Sequence, residues 1–498
     1  MSELIDGLPP PPPPVDPLVA SAVILWREGP RGREVYWVRR GALRFAGGFQ
    51  AFPGGRLEDE DALVEAPGLT GRRAALAVCA AREAFEETGV LLTTGPRPSQ
   101  PERDAARRAL LDGSLSFRAF LGRNGLTVDA AQLAPAGRWI TPPHFPIRYD
   151  AHVHLAHLPA GEDPVVWPGE LDSGAWIAAS EAVARWERGD VLLHPPNLWG
   201  VQCLARAGPP ECLDLLRSPP AVDGFVSRRI EFQRGLFLVP LRTPTLPPAV
   251  HTNCWIADVG GGGLALVDPG AHAAEEQARL ERVLDDLRAE GLSPREIWLT
   301  HHHLDHVGGV GALRTRHALA LRAHPATAER LGLPPGSYRP LGDGDLLHGA
   351  WRALHTPGHT RGHVAFLHER TGALLAGDMV STLSTIVIDP PEGDMAAYLA
   401  SLERLRDLAP RALFPAHGSP TLGAVAKLDE YLAHRREREA MVVDALASPG
   451  TLDEVTARAY QDVPAFMLPV AARSCLASLE KLRREGRVAF DGTRWYGA

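Results

Sequence analysis

At 498 residues the chain exceeds one ordinary hydrophobic core, and at about 150 residues per domain roughly three domains are expected. A net charge of −8 with both signs interspersed gives no electrostatic ground for a broad nucleic-acid or membrane surface. Five cysteines (Cys79, Cys203, Cys212, Cys254 and Cys475) without CxxC spacing argue against a disulfide framework or a cysteine zinc knuckle, and read as reduced, buried thiols.

The first elements in chain order are acidic and proline-rich. Glu3 and Asp6 precede six prolines, Pro9–Pro14, which predict a polyproline rod on a disordered tail of residues 1–17. Neither a basic nor an apolar signal region is present, and no run of about 18 apolar residues follows, so the cytoplasm is the default location and no membrane partner is expected.

From Leu18 the texture is globular. Val19–Trp26 and Glu34–Arg39 predict a hairpin about the turn Gly29-Pro30-Arg31-Gly32. A glycine-rich loop, Phe45-Ala46-Gly47-Gly48-Phe49-Gln50-Ala51-Phe52-Pro53-Gly54-Gly55, allows close backbone approach. Ala74–Thr88 is a predicted helix ended by Gly89. On it Glu83, Glu86 and Glu87 stand at i, i+3 and i+4, so three like charges share one face, with Arg82 able to pair with Glu86. Solvated acidic helix faces are common; the preceding Pro-Gly-Gly loop and the arginine favour a hard-cation site for Mg²⁺ or Mn²⁺, one carboxylate being left to polarise water.

Arg82-Glu83-x-x-Glu86-Glu87-x-Gly89-Val90 resembles the Nudix box. The likeness implies an α/β/α Nudix sandwich, with Glu83 catalytic, Glu86 and Glu87 as metal ligands, and Gly55 and Arg82 at the substrate. Gly55 lies 27 residues before Arg82, well beyond the family's compact spacing, and Asp61 stands where a glutamate is usual. A stretch within Glu58–Arg73 therefore looks inserted. With Arg39-Arg40 and Phe52-Pro53-Gly54-Gly55, it is similar to the coenzyme A diphosphatase branch.

Residues 101–123 predict a helical insertion, and strand texture resumes between Trp139 and Pro159. His144, His152, His154 and His157 read as surface or packing residues. Glu170, a few positions before Trp176, resembles an additional Nudix ligand. Helices around Ala179–Arg188 and Asn197–Ala207 close this domain, bounded at 18–222 near Ser218-Pro219-Pro220.

The second domain, 223–426, opens with strand candidates Gly235–Pro240, Thr252–Val259 and Leu264–Val267, the last running into Asp268-Pro269-Gly270. An acid there fits a loop that hydrogen-bonds neighbouring metal ligands. The run Thr300-His301-His302-His303-Leu304-Asp305-His306 follows apolar Ile297-Trp298-Leu299. His359, Asp378 and His417 each lie just past another apolar run. Imidazole nitrogen and carboxylate oxygen suit a borderline cation such as zinc, and seven ligands suffice for two sites with Asp378 placed to bridge.

Thr-His-x-His-x-Asp-His resembles the motif of the metallo-β-lactamase superfamily. The likeness implies an αββα sandwich with two Zn²⁺. His301, His303 and His359 hold one metal, Asp305, His306 and His417 the other, Asp378 bridges, and Asp305 is counted as catalytic. Two metals about 3.5–4 Å apart acidify a shared water and polarise the scissile oxygen. His302 is expected to point away, His363 to support the site or pack, and His355 has no assigned role.

Residues 427–498 predict three helices (Lys427–Leu446, one from Thr451, and Ala471–Glu485) and a hairpin about Asp491-Gly492, a winged helix. Arg473, Lys481, Arg483, Arg484 and Arg487 give the third helix a basic edge, while a packing or dimerisation cap is favoured by the negative total charge. Residues 223–498 resemble the β-lactamase-like protein 2 group.

The leading expectation is a multidomain α/β and α+β fusion: a zinc hydrolase of an ester, thioester or phosphodiester joined to a Mg-dependent pyrophosphohydrolase. Small-molecule substrates, nucleotide-linked or acyl-thioester, are expected. The alternatives are a zinc endoribonuclease whose winged helix contacts RNA, and a Nudix unit that only binds a nucleotide and regulates its neighbour. Oligomeric state is left open.

Overall fold

The computed structural model describes residues 15–41, 47–145, 147–167 and 171–498. The proline run Pro9–Pro14, Phe45-Ala46 and Glu170 lie outside them. The chain divides into two compact units, one holding residues 13–234 and the other 235–498.

In the N-terminal unit the strand Leu18–Gly29 turns into Gly32–Arg40 as an antiparallel hairpin and runs parallel to Tyr149–His157. Leu171–Ala178 pairs with the second hairpin strand, Ala134–Ile140 with Tyr149–His157, and Gly54–Arg56 with Ala20–Ala22. Side-chain alternation builds the layers. Val23, Leu25, Tyr36 and Val38 pack on the side of helix Gly71–Thr88, whereas Ile24, Val35 and Trp37 pack against helices Ala179–Arg188 and Pro195–Arg206. The result is a helix-covered sheet on both faces. The 101–123 stretch forms two helices, Gln100–Leu111 and Phe117–Asn124.

The division after Arg234 lies beyond the predicted edge at 222 because hydrogen bonds to their carbonyls hold the intervening residues. The Ile140 N–H donates to the Phe225 carbonyl (2.8 Å), and the Trp186 Nε1–H to that of Phe232 (3.1 Å).

The C-terminal unit stacks two sheets. Leu236–Arg242, His251–Gly260, Gly263–Val267, Ser293–Trp298 and Ala320–Ala323 neighbour one another in that order. Trp351–His355, Val364–His368, Ala373–Gly377 and Ala412–Pro415 make the second. Cys254, Ile256 and Ile297 turn outward to helices Ala274–Ala289 and Val310–His317. Their alternates Trp255 and Trp298 meet Phe414 and Phe366 of the other sheet, ring centroids 5.2 and 5.1 Å apart. Helices Met395–Asp407 and Ala424–Asp444 cover the second sheet. This is the αββα sandwich expected.

The C-terminal segment is a winged helix, with helices Leu452–Ala459 and Leu468–Arg484 and the hairpin Val488–Phe490/Trp495–Gly497. Thr451 and Glu454 close the predicted capping box. The predicted domain edge at 427 falls inside a continuous helix: Leu428 and Leu432 pack in the sandwich core, Val442 in the winged-helix core. None of the helices, among the described residues, is long and apolar enough to cross a membrane.

Candidate metal centre

Every predicted ligand of the C-terminal unit follows a strand end. His301 and His303 leave Ser293–Trp298, Asp305 and His306 open the short helix Leu304–Val307, and His359, Asp378 and His417 follow Trp351–His355, Ala373–Gly377 and Ala412–Pro415. Glycines let these loops crowd. A Cβ on Gly270 would lie 1.6 Å from the Asp305 carbonyl oxygen, and one on Gly377 (φ 51°) would lie 2.5 Å from His363 Nε2.

The seven ligand atoms gather in two groups: His301, His303, His359 and Asp378; and Asp305, His306 and His417. In the first, His303 Nδ1 stands 2.9 Å from His301 Nε2 and 3.0 Å from His359 Nε2. In the second, His417 Nε2 lies 3.5 Å from Asp305 Oδ2 and 3.4 Å from Asp378 Oδ1, and His306 Nε2 3.7 Å from each aspartate. Asp378 Oδ2 is also 3.6 Å from His359 Nε2, so this carboxylate serves both groups. Ligands about 2.1 Å from a tetrahedral ion sit about 3.4 Å from each other; the separations around Asp378 and His417 lie near that value, and those around His303 are shorter.

Outer partners fix the tautomers. Asp268 takes the Thr300 N–H (2.8 Å), the Thr300 hydroxyl (2.6 Å) and the His306 Nδ1–H (2.9 Å). His301 Nδ1–H donates to Thr300 Oγ1 (2.9 Å), His359 Nδ1–H to the Val387 carbonyl (2.9 Å), and His417 Nδ1–H to that of His251 (3.0 Å). The Nε2 lone pairs of His301, His306, His359 and His417 therefore point inward, toward each other and toward carboxylates. His306 Nε2 and Asp378 Oδ1 are buried without a hydrogen-bond partner. Converging acceptors at this depth call for cations, and the donor set fits two borderline divalent ions.

The electrostatics agree. Burial holds His301, His303 and His359 below the ordinary imidazole pKa, hence neutral. Burial opposes charge on His306 and His417 too, but the carboxylates of Asp305 and Asp378 outweigh it and raise both. Asp378 lies well below the usual carboxylate range: its burial is overcome by His417 and His306.

His302 belongs to neither ligand group and lines the cavity above. His363 supports the site: its Nδ1–H donates to Thr356 Oγ1 (2.8 Å) and its Nε2 accepts the Asp378 N–H (3.1 Å). His355 stacks on His324, ring centroids 4.2 Å apart. The helix Ala424–Asp444 and the winged helix after it reach the same loops. Tyr431 Oη accepts the Ser381 N–H (2.7 Å) and faces the carbonyls of Ser381 and Ser384. Ser474 Oγ accepts the Ile388 N–H (3.1 Å), and Arg435 Nη2 donates to the Ile386 carbonyl. Segment 381–388, which also orients His359 through Val387, is thus pinned by two helices. Tyr431 and Arg435 escape a motif search, but with Leu428, Leu432 and Val442 they fall on one buried stripe of Ala424–Asp444, the periodicity that reveals them.

In the N-terminal unit Glu83, Glu86 and Glu87 form no convergent group among the described residues. Arg82 takes Glu83 (2.8 Å) and Glu86 (3.0 Å) on Nη1, and grips Asp61 through Nε (2.9 Å) and Nη2 (3.1 Å). Glu87 accepts the Gly54 N–H (2.9 Å), tying the Pro-Gly-Gly loop to the helix. Arg82 is 4% exposed, and its donors are spent inside the protein. It therefore positions the carboxylates and is not the substrate contact expected of it. A Cβ on Gly55 would lie 2.3 Å from Glu83 Oε1, so this glycine makes room for the carboxylate. Burial pushes Glu83 up to about 7 and raises Glu86, against the pull of Arg82. His154 is buried, its Nδ1 3.2 Å from Ser21 Oγ, a packing role as read from sequence.

A two-layered β-sandwich flanked by helices, with seven ligands at its strand ends, defines a metal-dependent hydrolase, and the chain belongs to the metallo-β-lactamase superfamily. Residues 247–417 match the family model "Metallo-beta-lactamase superfamily" and residues 451–495 match "Beta-lactamase associated winged helix domain". The Lactamase-like protein vrtG of Penicillium aethiopicum is 32% identical over 266 residues, 49% of this chain and 82% of that protein. The Beta-lactamase-like protein 2 homolog of Drosophila melanogaster is 29% identical over 252 residues, 48% and 84% of the two chains. A solved NUDIX hydrolase from Alicyclobacillus acidocaldarius is similar at 26% identity and a TM-score of 0.36, over 41% of this chain and 99% of that one.

Proposed function

We propose that the C-terminal unit is a dinuclear zinc hydrolase of a small-molecule ester or thioester, and that the N-terminal unit is a Mg²⁺-dependent Nudix pyrophosphohydrolase of a nucleoside-diphosphate-linked compound such as coenzyme A. The observation that carries the first part is the inward set of imidazole lone pairs around Asp378. His301, His303 and His359 would hold one ion, Asp305, His306 and His417 the other, with Asp378 offering an oxygen to each. Bound zinc supplies Lewis acidity, bringing a water's pKa toward about 7 and polarising the oxygen of the scissile bond. Asp268, Thr300 and the Val387 and His251 carbonyls keep the ligand rings aimed. The cavity over the centre, about 820 Å³, has the capacity of a small-molecule site and an apolar wall that includes Pro247, Ile386 and Val463.

The ribonuclease alternative draws less support. Arg473, Lys481, Arg483, Arg484 and Arg487 pair with Asp389, Glu439, Glu480, Asp394 and Glu439, at 3.2, 2.6, 2.8, 2.7 and 2.9 Å. The basic edge is neutralised within the fold. For the N-terminal unit, the support is the carboxylate trio held by Arg82 and the Pro-Gly-Gly loop. Purified protein with Zn²⁺ and Mg²⁺ is to be offered acyl-thioesters, coenzyme A and short RNA, beside Asp305→Ala and Glu86→Ala. Thioester cleavage lost in Asp305→Ala and diphosphatase activity lost in Glu86→Ala support the reading. RNA cleavage that Asp305→Ala abolishes, with thioesters untouched, would replace it.

A further inference from the structure

The wall of the cavity holds a charge without a counter-charge. Four arginines line it, and three are paired: Arg330 with Glu392 (3.4 Å), Arg438 with Asp462 (2.8 Å) and Arg473 with Asp389 (3.2 Å). Arg435 makes no ion pair among the described residues. It is 5% exposed, its Nε has no hydrogen-bond partner, one Nη donates to the Ile386 carbonyl, and its guanidinium lies 5.3 Å from the Tyr398 ring centroid. Beside it on the same wall, Tyr460 is 6% exposed with an unpartnered hydroxyl, and His434 has an unpartnered Nδ1. A buried guanidinium without a carboxylate is costly to keep, and its fork of donors matches an oxyanion.

We propose that Arg435, with Tyr460 and His434, forms an anion subsite that seats a carboxylate or phosphate-type group of the substrate, the remainder of which spans the cavity to the metal ligands. This rests on the metal centre being the reactive end of the cavity. Arg435 and His434 come from the helix Ala424–Asp444 that joins the sandwich to the winged helix, and Tyr460 from the winged helix itself, so this C-terminal segment selects the substrate by charge. Its own surface arginines, being paired, do not supply that function. The substrate class is a small amphiphile: a hydrolysable acyl group, a short apolar spacer and a terminal oxyanion.

The test uses the zinc-loaded full chain. Three 4-nitrophenyl esters of equal length, pentanoate, glutarate and 4-phosphonobutanoate, differ only in a terminal methyl, carboxylate or phosphonate, and so separate the two anion sources. Calorimetric binding of glutaranilic acid against pentananilide gives a readout independent of turnover. A charge-assisted hydrogen bond is worth about 10- to 100-fold in affinity. Wild type is expected to prefer one or both anionic compounds by that factor, Arg435→Gln to bring the ratio within about 3-fold, and Tyr460→Phe to lower it partially. Equal affinity for the anionic and neutral anilides in wild type, together with no preference for either anionic ester, overturns the subsite, as does a preference that survives Arg435→Gln. If Arg435→Gln fails to melt like wild type, Arg435→Lys and Tyr460→Phe decide, an unchanged preference in both being refutation. Anilide discrimination without hydrolysis of any ester leaves the subsite standing and removes the proposed ester specificity.

Discussion

Asp268 orders the metal centre without belonging to it, and Asp268→Asn isolates that role. The residue has φ 51°, a region asparagine tolerates, so the backbone has no reason to move. Its two oxygens accept three hydrogens, from the Thr300 N–H, the Thr300 hydroxyl and the His306 Nδ1–H. An amide has one acceptor oxygen. With its NH₂ toward Thr300 N–H two donors collide; with it toward His306 the proton is driven to Nε2, the atom that must face the metal. Loss of a hydrogen bond to a buried charge costs about 1.5–3 kcal/mol. At 1.4 kcal/mol per decade that is about 10- to 100-fold in affinity, the range typical of partners behind metal-ligating histidines. Competition against a chromophoric chelator is expected to show two tight zinc ions in wild type. In the variant the His301/His303/His359 ion is retained and the other weakened by that factor. A folded Asp268→Asn protein that holds both ions as tightly as wild type refutes the tautomer argument.

Three further outcomes follow from the geometry. Asp61→Ala removes the most buried of the three carboxylates hydrogen-bonded to Arg82 and should destabilise the N-terminal unit by about 1.5–3 kcal/mol in urea unfolding. Glu83 is an acid whose folded pKa is raised, so metal-free stability is fullest below about 4.5 and declines as pH rises through about 7. At 1.36 kcal/mol per pKa unit the loss reaches about 3 kcal/mol, and Mg²⁺ should reverse it, binding about tenfold tighter per pH unit up to about 7 and evenly above; melting curves at pH 5.5, 7 and 8 with and without Mg²⁺ check both. Gly270→Ala places a Cβ 1.6 Å from the Asp305 carbonyl. It should cost the Asp305/His306/His417 ion while far-ultraviolet dichroism stays native; two retained zinc ions would contradict it.

The ligand set was legible because each member follows an apolar run, and a strand end is where a buried segment can aim a polar side chain. Asp268 was legible for the same reason. The role of Arg82 was not, since its partner Asp61 sits inside the inserted stretch and only folding brings the two together. Nor was the division after Arg234, which rests on carbonyls of Phe225 and Phe232 that any residue would supply. Lys427–Leu446 reads as a long charged helix, and only the stripe at 428, 431, 432, 435 and 442 distinguishes its inward face. The paired state of the third helix depends on Asp389, Asp394 and Glu439, carboxylates 42 to 90 residues away in sequence.

The grip of Tyr431, Arg435 and Ser474 on segment 381–388 sets an order of assembly during synthesis. A ribosome releases the ligands from His301 to His417 before it releases the residues that hold the loop behind His359. A nascent chain therefore carries a complete set of imidazoles and carboxylates before the loop behind His359 is held. Tyr431 and Arg435 take hold of the segment first and Ser474 last, so the support behind His359 is completed only near the end of synthesis.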